Sequence, residues 1–294
     1  MNGARHPSTS GDRASDLRSS GPIGVFDSGV GGLSVWREIV RTAPREHTLY
    51  VADQAHVPYG PRSLSEIRDF AAGITDFLLS QGAKVIVVAC NTASAAALYA
   101  LRDAHPAVPF VGMEPAVKPA AEHTAVGSIG VLATPTTFQG TLFRKLVDRF
   151  GARVSIYTQT CPGLVEAIER GDLSSERTRD LVAGCLGPLT ARGIDQLVLG
   201  CTHYPFVRPT IEAILGAEIE VVDPAPAVAR QVQRILVDRG LTNPSPTEGH
   251  HVIYTSGAVE PMIAAATSLV DYTASVRPVR WVGTTLHTVI ESHA

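Results

Sequence analysis

Two cysteines stand in matching surroundings, Lys84-Val-Ile-Val-Val-Ala-Cys90-Asn91-Thr92 and Asp195-Gln-Leu-Val-Leu-Gly-Cys201-Thr202-His203. Each closes an apolar run of the kind that forms a buried parallel strand, and each is followed by hydrogen-bonding side chains. In open α/β sheets ligands bind at the carboxyl ends of the strands. Two thiols carried on matching strands of two halves can face one substrate from opposite sides. That is the arrangement stereoinversion at a carbon centre needs. Cys90 lies just before a helix expected from Ala93, where the helix dipole favours an anion and is expected to lower the thiol from its usual pKa of about 8.5. Cys201 follows its strand in the same way, although Pro205 separates it from a helix start. His203, two residues from a candidate nucleophile, suits a general acid/base or a partner that promotes the thiolate.

Other polar residues gather at predicted strand ends. Asp27-Ser28-Gly29-Val30-Gly31-Gly32 closes the first strand; its glycines allow close backbone approach, and its amides suit a carboxylate or small anion. It matches neither the dinucleotide nor the P-loop fingerprint. Asp27 is placed as a supporting acid. Tyr59-Gly60, Asn91-Thr92, Thr134, Thr137 and Thr202 are short polar groups able to hold an amino group and carboxylates, with helix capping as the competing role for the threonines. Glu169 has no distinguishing pattern. Cys161 and Cys185 read as free thiols belonging to loop and core. No CxxC pair or zinc-type spacing occurs. The three lysines, Lys84, Lys118 and Lys145, lie outside any phosphate-cradling context, so a Schiff-base cofactor is not expected and the chemistry is expected to need no cofactor or metal.

The elements that must position these residues repeat. Ile23-Gly-Val25 recurs as Ile129-Gly-Val131, Leu49-Tyr-Val51 as Val154-Ser-Ile156, Cys90 as Cys201 and Phe110-Val111 as Glu220-Val221, always 105 to 111 residues on. Four runs in one order indicate a duplicated domain. Strands alternate with helices, including one over 63–80 opened by the capping box Ser63-Leu-Ser-Glu66 and one over 138–150. The pattern predicts an α/β protein of two similar domains, with mainly parallel sheets flanked by helices, a pseudo-twofold axis and a cleft between them. Helix 227–239, strand 251–254, helix 260–269 and a last strand 277–282 lack repeat partners, so the tail is expected to return to the first domain. The expected division is a disordered extension over 1–20, a first domain of 21–114 plus 224–294, and a second of 115–223. A net charge of −3 without a Lys/Arg-rich run does not point to nucleic acid, and no apolar stretch reaches membrane-spanning length. A cytoplasmic location is expected.

Four motifs, FDSGVGG (Phe26 to Gly32), VPYG (Val57 to Gly60), ACNTASA (Ala89 to Ala95) and LGCTHYP (Leu199 to Pro205), resemble those of the glutamate racemases, within the cofactor-independent aspartate/glutamate racemase superfamily. Ile253-Tyr-Thr-Ser-Gly257 extends the likeness. Thr-His after the second cysteine favours the glutamate enzymes over their aspartate relatives. The resemblance implies that Cys90 and Cys201 are the two bases, one thiolate taking the α-proton and the other thiol donating to the opposite face. It places substrate groups on Asp27, Ser28, Tyr59, Gly60, Asn91, Thr92, Thr202 and His203, with Asp27, Asp53, Glu169 and His203 as assisting residues. It also implies glutamate as substrate, supply of D-glutamate for peptidoglycan, a homodimer and, for some members, binding to DNA gyrase. Thr136 departs from the family, which usually has Gly there. The rival readings are an aspartate racemase or another isomerase or decarboxylase of the superfamily. A dithiol redox protein fails on cysteine spacing.

Overall fold

The computed structural model describes residues 19–272 and 275–289, so the extension expected over 1–20 falls almost wholly outside it. The first half supplies strands β1 (Ile23–Asp27), β2 (Thr48–Ala52), β3 (Val85–Val88) and β4 (Phe110–Gly112), separated by helices α1 (Leu33–Thr42), α2 (Leu64–Ser80) and α3 (Asn91–Ala104). Every residue of β1 and β3 is buried, as central strands covered on both faces require. Ser63 opens α2 by accepting the Glu66 N–H at 3.3 Å, while the Glu66 carboxylate accepts the Ser63 N–H at 3.0 Å. Gly82, at φ +83°, lets the chain turn away after α2.

Residues 128–222 build a second sheet from β5 (Ser128–Ala133), β6 (Ser155–Gln159), β7 (Gln196–Gly200) and β8 (Glu220–Val222). The intervening helices are α4 (Val117–His123, before β5), α5 (Pro135–Gln139), α6 (Thr141–Phe150), α7 (Leu164–Glu169), α8 (Glu176–Thr190) and α9 (Arg208–Leu215). Its strand order, β6-β5-β7-β8, repeats the order β2-β1-β3-β4, and all of these pairs are parallel. The duplication read from four short runs is therefore present as topology.

The chain then forms α10 (Ala225–Asp238), β9 (His251–Thr255), α11 (Val259–Val270), β10 (Ser275–Val282) and β11 (Thr285–Thr288). These strands extend the first sheet to seven, in the order β11-β10-β9-β2-β1-β3-β4, with β11 alone antiparallel. Ile23, Val25, Leu33, Trp36, Val228 and Val232 share the core between the first sheet, α1 and α10. Phe26, Val88, Ile67, Ile74, Ala97 and Leu101 fill the opposite face beneath α2 and α3.

Two elements, α4 and β11, are absent from the sequence expectation. The helix expected over 138–150 is two helices. Thr134 caps a short one beginning at Pro135, and the chain is extended at Gly140 (φ −68°, ψ 148°) before α6. A side chain at Gly140 would place its Cβ 2.5 Å from the Cβ of Ala95, so the break is where this backbone presses against α3.

Candidate active site

A cavity of about 180 Å³ opens where the carboxyl ends of β1, β3, β5 and β7 converge. Cys90 and Cys201 both line it, are both buried, and are bonded neither to each other nor to another cysteine. Ser28, Tyr59, Gly60, Asn91, Thr92, Thr134, Thr202 and His203 line it with them, ten of the residues singled out by sequence. Asp27, Asp53, Thr137 and Glu169 stand behind this wall, each acting on a residue that belongs to it.

The glycine-rich turn after β1 reaches across to the second half. A Cβ at Gly29 would lie 2.0 Å from a Glu169 oxygen, and one at Gly31 would lie 2.3 Å from the His203 ring. Only glycine permits that approach. The amides expected to cradle a ligand anion instead hold the protein's own carboxylates. Gly29 and Gly32 N–H donate to Asp27 Oδ2 at 3.1 and 3.0 Å, and Val30 N–H donates to Glu169 Oε1 at 2.8 Å. Thr202 Oγ1 donates to Asp27 Oδ1 at 3.3 Å, and Ser34 Oγ lies 3.0 Å from the Thr202 carbonyl. These bonds join the two halves around the cavity.

Cys90 caps α3, its sulfur accepting the Ala93 N–H at 3.4 Å. The expectation that this lowers the thiol is overturned. Burial, followed by the Asp27 carboxylate, pushes Cys90 well above its ordinary value, and the helix amide does not offset them. Burial likewise raises Asp27, against the opposing influence of His203.

The second cysteine has a different neighbour. His203 Nδ1 lies 3.8 Å from the Cys201 sulfur, and its Nε2 lies 2.6 Å from Glu169 Oε1. Burial alone would lower His203, but Cys201 and Glu169 together outweigh it and hold the imidazole well above its ordinary value. Burial also works against the Glu169 carboxylate; His203 and the Val30 amide overcome it, and Glu169 stays low. An imidazolium–carboxylate pair thus backs Cys201.

Gln54, Tyr50, Ser256 and Trp281 were not singled out in the sequence. Gln54 Nε2 donates to Glu169 Oε2 at 3.4 Å, and Gln54 Oε1 accepts from Thr255 Oγ1 at 3.1 Å, so β9 braces the histidine's partner. Tyr50 OH donates to the Gly29 carbonyl at 2.7 Å. Asp53 accepts from Tyr59 OH at 2.6 Å, Ser256 Oγ at 2.9 Å and Trp281 Nε1 at 2.7 Å, and contacts His56 at 2.8 Å, so it anchors the Tyr59 loop. Thr134 does both things its position allowed. It caps α5 through the Thr137 N–H at 3.3 Å and meets Thr92 Oγ1 at 2.9 Å across the cavity wall.

Cys161 and Cys185 are not free thiols. They form a disulfide that ties the segment entering α7 to the middle of α8, because the fold brings their Cα atoms to 5.5 Å. Asn91 has unused hydrogen-bonding capacity. It is buried on the cavity wall, yet neither its Oδ1 nor its Nδ2 has a partner among the described residues. An unpaired buried amide is costly, and a ligand carrying both carboxylate and ammonium groups satisfies both atoms. Among the described residues no cluster of three or more His, Cys, Asp or Glu side chains is arranged to hold a metal ion, and no helix among them is long and apolar enough to cross a membrane.

A family model for Asp/Glu/Hydantoin racemase matches residues 23–232. The chain is 56% identical over 222 residues to a glutamate racemase of Pseudomonas paraeruginosa, a match covering 76% of this chain and 84% of the relative. It is 49% identical over 259 residues to that of Ectopseudomonas mendocina, covering 88% and 98%. Among solved structures, a glutamate racemase isoform from Bacillus anthracis matches with a TM-score of 0.81 at 33% identity, covering 91% of this chain and 99% of that one. The Francisella tularensis glutamate racemase in complex with D-glutamate matches with a TM-score of 0.79 at 26% identity, covering 90% and 98%.

Proposed function

The chain belongs to the Asp/Glu/Hydantoin racemase family, and we propose that it interconverts L-glutamate and D-glutamate with two cysteines as the acid and base. The observation that carries this reading is the pair of unbonded thiols, Cys90 and Cys201, lining one cavity from equivalent strand ends of duplicated halves. In each turnover one thiolate takes the α-proton, leaving a carbanion whose charge delocalises into the α-carboxylate. The opposite thiol then gives its proton to the other face of the carbon. The two sulfurs exchange protonation states, and proton exchange with solvent after product leaves restores them for another turnover in the same direction. No cofactor enters the scheme.

The neighbours of the two thiols support a division of labour. His203, paired with Glu169, stands 3.8 Å from the Cys201 sulfur, whereas burial and Asp27 favour the protonated form of Cys90. Asn91 and Thr92 open α3, where backbone N–H groups lack intrahelical acceptors and suit a carboxylate. We place substrate groups at Ser28, Tyr59, Gly60, Asn91, Thr92, Thr134, Thr202 and His203. Asp27, Asp53, Thr137 and Glu169 take positioning roles, since none of them lines the cavity.

The proposed domains are 21–114 with 224–294, and 115–223, a division supported by the strands each sheet recruits. The proposal extends to a homodimer, tested by sedimentation, and to supply of D-glutamate for peptidoglycan in the cytoplasm. The chemical test is incubation with L-glutamate in D₂O. Loss of the α-proton signal with parallel loss of optical rotation is expected. Retention of that proton, or faster turnover of aspartate than of glutamate, overturns the reading.

A further inference from the structure

The loop 57–61 forms one part of the cavity wall. It carries Tyr59 and Gly60 into the lining and belongs to the first half of the chain. On its own side it is anchored by Tyr59 OH on Asp53 and by Arg62 Nε, which donates to the His56 carbonyl at 2.6 Å. Its outer edge is held from the other half. Thr136 Oγ1, in α5, donates to the Gly60 carbonyl at 2.7 Å, and Thr136 is buried.

That carbonyl shares its peptide with Pro61, whose nitrogen carries no hydrogen, so the oxygen is the whole polar content of the peptide. The loop also runs beside Thr134, since a Cβ at Gly60 would meet Thr134 Cβ at 3.4 Å, an ordinary contact distance. Thr134 in turn bonds Thr92 and Thr137 at 2.9 Å. Thr136 itself is not among the residues that line the cavity.

We propose that Thr136 is a positioning residue whose hydroxyl latches loop 57–61 to the second half, holding Tyr59 and Gly60 in the conformation that receives substrate. The latch rests on the glutamate-racemase reading for its kinetic consequence but not for its existence. Without the hydroxyl, the Gly60 carbonyl loses its partner and the competent loop conformation becomes a fraction of the population. Apparent affinity falls by that fraction, while chemistry in the loaded site is unaltered. A net hydrogen bond of ordinary strength corresponds to roughly three- to tenfold.

The test compares Thr136→Val, which keeps the shape and removes the donor, with Thr136→Ser, which keeps the donor. KM for both glutamate enantiomers is expected to rise about three- to tenfold in Thr136→Val with kcat within twofold, and Thr136→Ser to restore the wild-type KM. Amide hydrogen exchange of the substrate-free proteins, followed in a peptide spanning 57–63, is expected to quicken in Thr136→Val alone. Unchanged exchange in that variant overturns the latch, as does equal damage in both variants or a loss confined to kcat. If wild-type protein fails to racemise glutamate, the functional reading falls, and hydrogen exchange still decides the latch.

Discussion

Cys90 and Cys201 are one side chain in two unequal settings. In the proposed scheme a proton must be both removed and supplied, so neither sulfur is dispensable. Cys90→Ala and Cys201→Ala are each expected to lower racemisation at least about 10³-fold in both directions. Each single variant keeps one base and should still eliminate HCl from a chloro-substituted glutamate; racemisation near the wild-type rate in either would remove the two-base scheme. His203 distinguishes the pair further. His203→Asn keeps a polar group but removes the positive charge 3.8 Å from the Cys201 sulfur. The direction that uses Cys201 as base is expected to lose about 10²-fold in kcat and the other direction less. Both directions share one equilibrium constant, so KM must shift to compensate. Equal loss of kcat, measured by following both enantiomers, would reduce His203 to orienting substrate. The cysteines and His203 were legible because they close apolar runs in duplicated context. Glu169 had no such mark. Its role depends on a 2.6 Å contact between residues 34 apart in sequence, which no local pattern encodes.

The elements act through close approach. In the turn after β1, a Cβ at Gly32 would lie 2.6 Å from Asp27 Cβ, 2.8 Å from Tyr50 OH and 3.0 Å from the Ala89 carbonyl. Gly32→Ala must move Asp27 or separate β1 from β3. A loss of about 1–3 kcal/mol in urea unfolding is expected, together with loss of activity; a variant as stable and active as wild type would show that the turn yields freely. Helix α7 carries Glu169 and is entered through Cys161, whose disulfide to Cys185 closes a span of 24 residues. Cys185→Ser is expected to cost about 3 kcal/mol more under oxidising conditions than under reducing ones. Thermal unfolding with and without dithiothreitol checks this. The strands and long helices were readable from apolar runs, the capping box and terminal glycines. Helix α4, strand β11 and the break at Gly140 were not. Strand β11 is only four residues long and pairs with β10 across the two-residue turn Gly283-Thr284, whereas the break answers to Ala95 on another helix and is set by tertiary contact.

At the scale of the molecule, the ends of the first sheet opposite the cavity carry a histidine group. Trp36 Nε1 donates to Thr48 Oγ1 at 2.8 Å, which leaves the Thr48 hydroxyl to donate to His251 Nδ1 at 2.9 Å. His251 is therefore held neutral, and burial together with His47 and His250 pushes it down to about 4. The stability it contributes is fully present above about 6.5 and is lost as pH falls toward 4. His203 and Glu169 work in opposite senses. The contribution of His203 fades as pH rises through its raised value, and that of Glu169 fades as pH falls through its lowered one. The melting temperature is expected to fall between pH 7 and 5, and His251→Gln to flatten that fall; parallel curves for the two proteins would discard the assignment. The repeated strand order β2-β1-β3-β4 and β6-β5-β7-β8 has a wider meaning. A catalyst indifferent to handedness would ideally contain a mirror plane, which a polymer of L-residues cannot build. Rotation is available to it, and a gene joined to its own copy supplies a twofold axis at once. Enantiomers are then exchanged by swapping which half of the protein does the pulling. The inequality of His203 and Thr92, each two residues past its cysteine, measures how far that borrowed symmetry has since drifted from the reflection it stands in for.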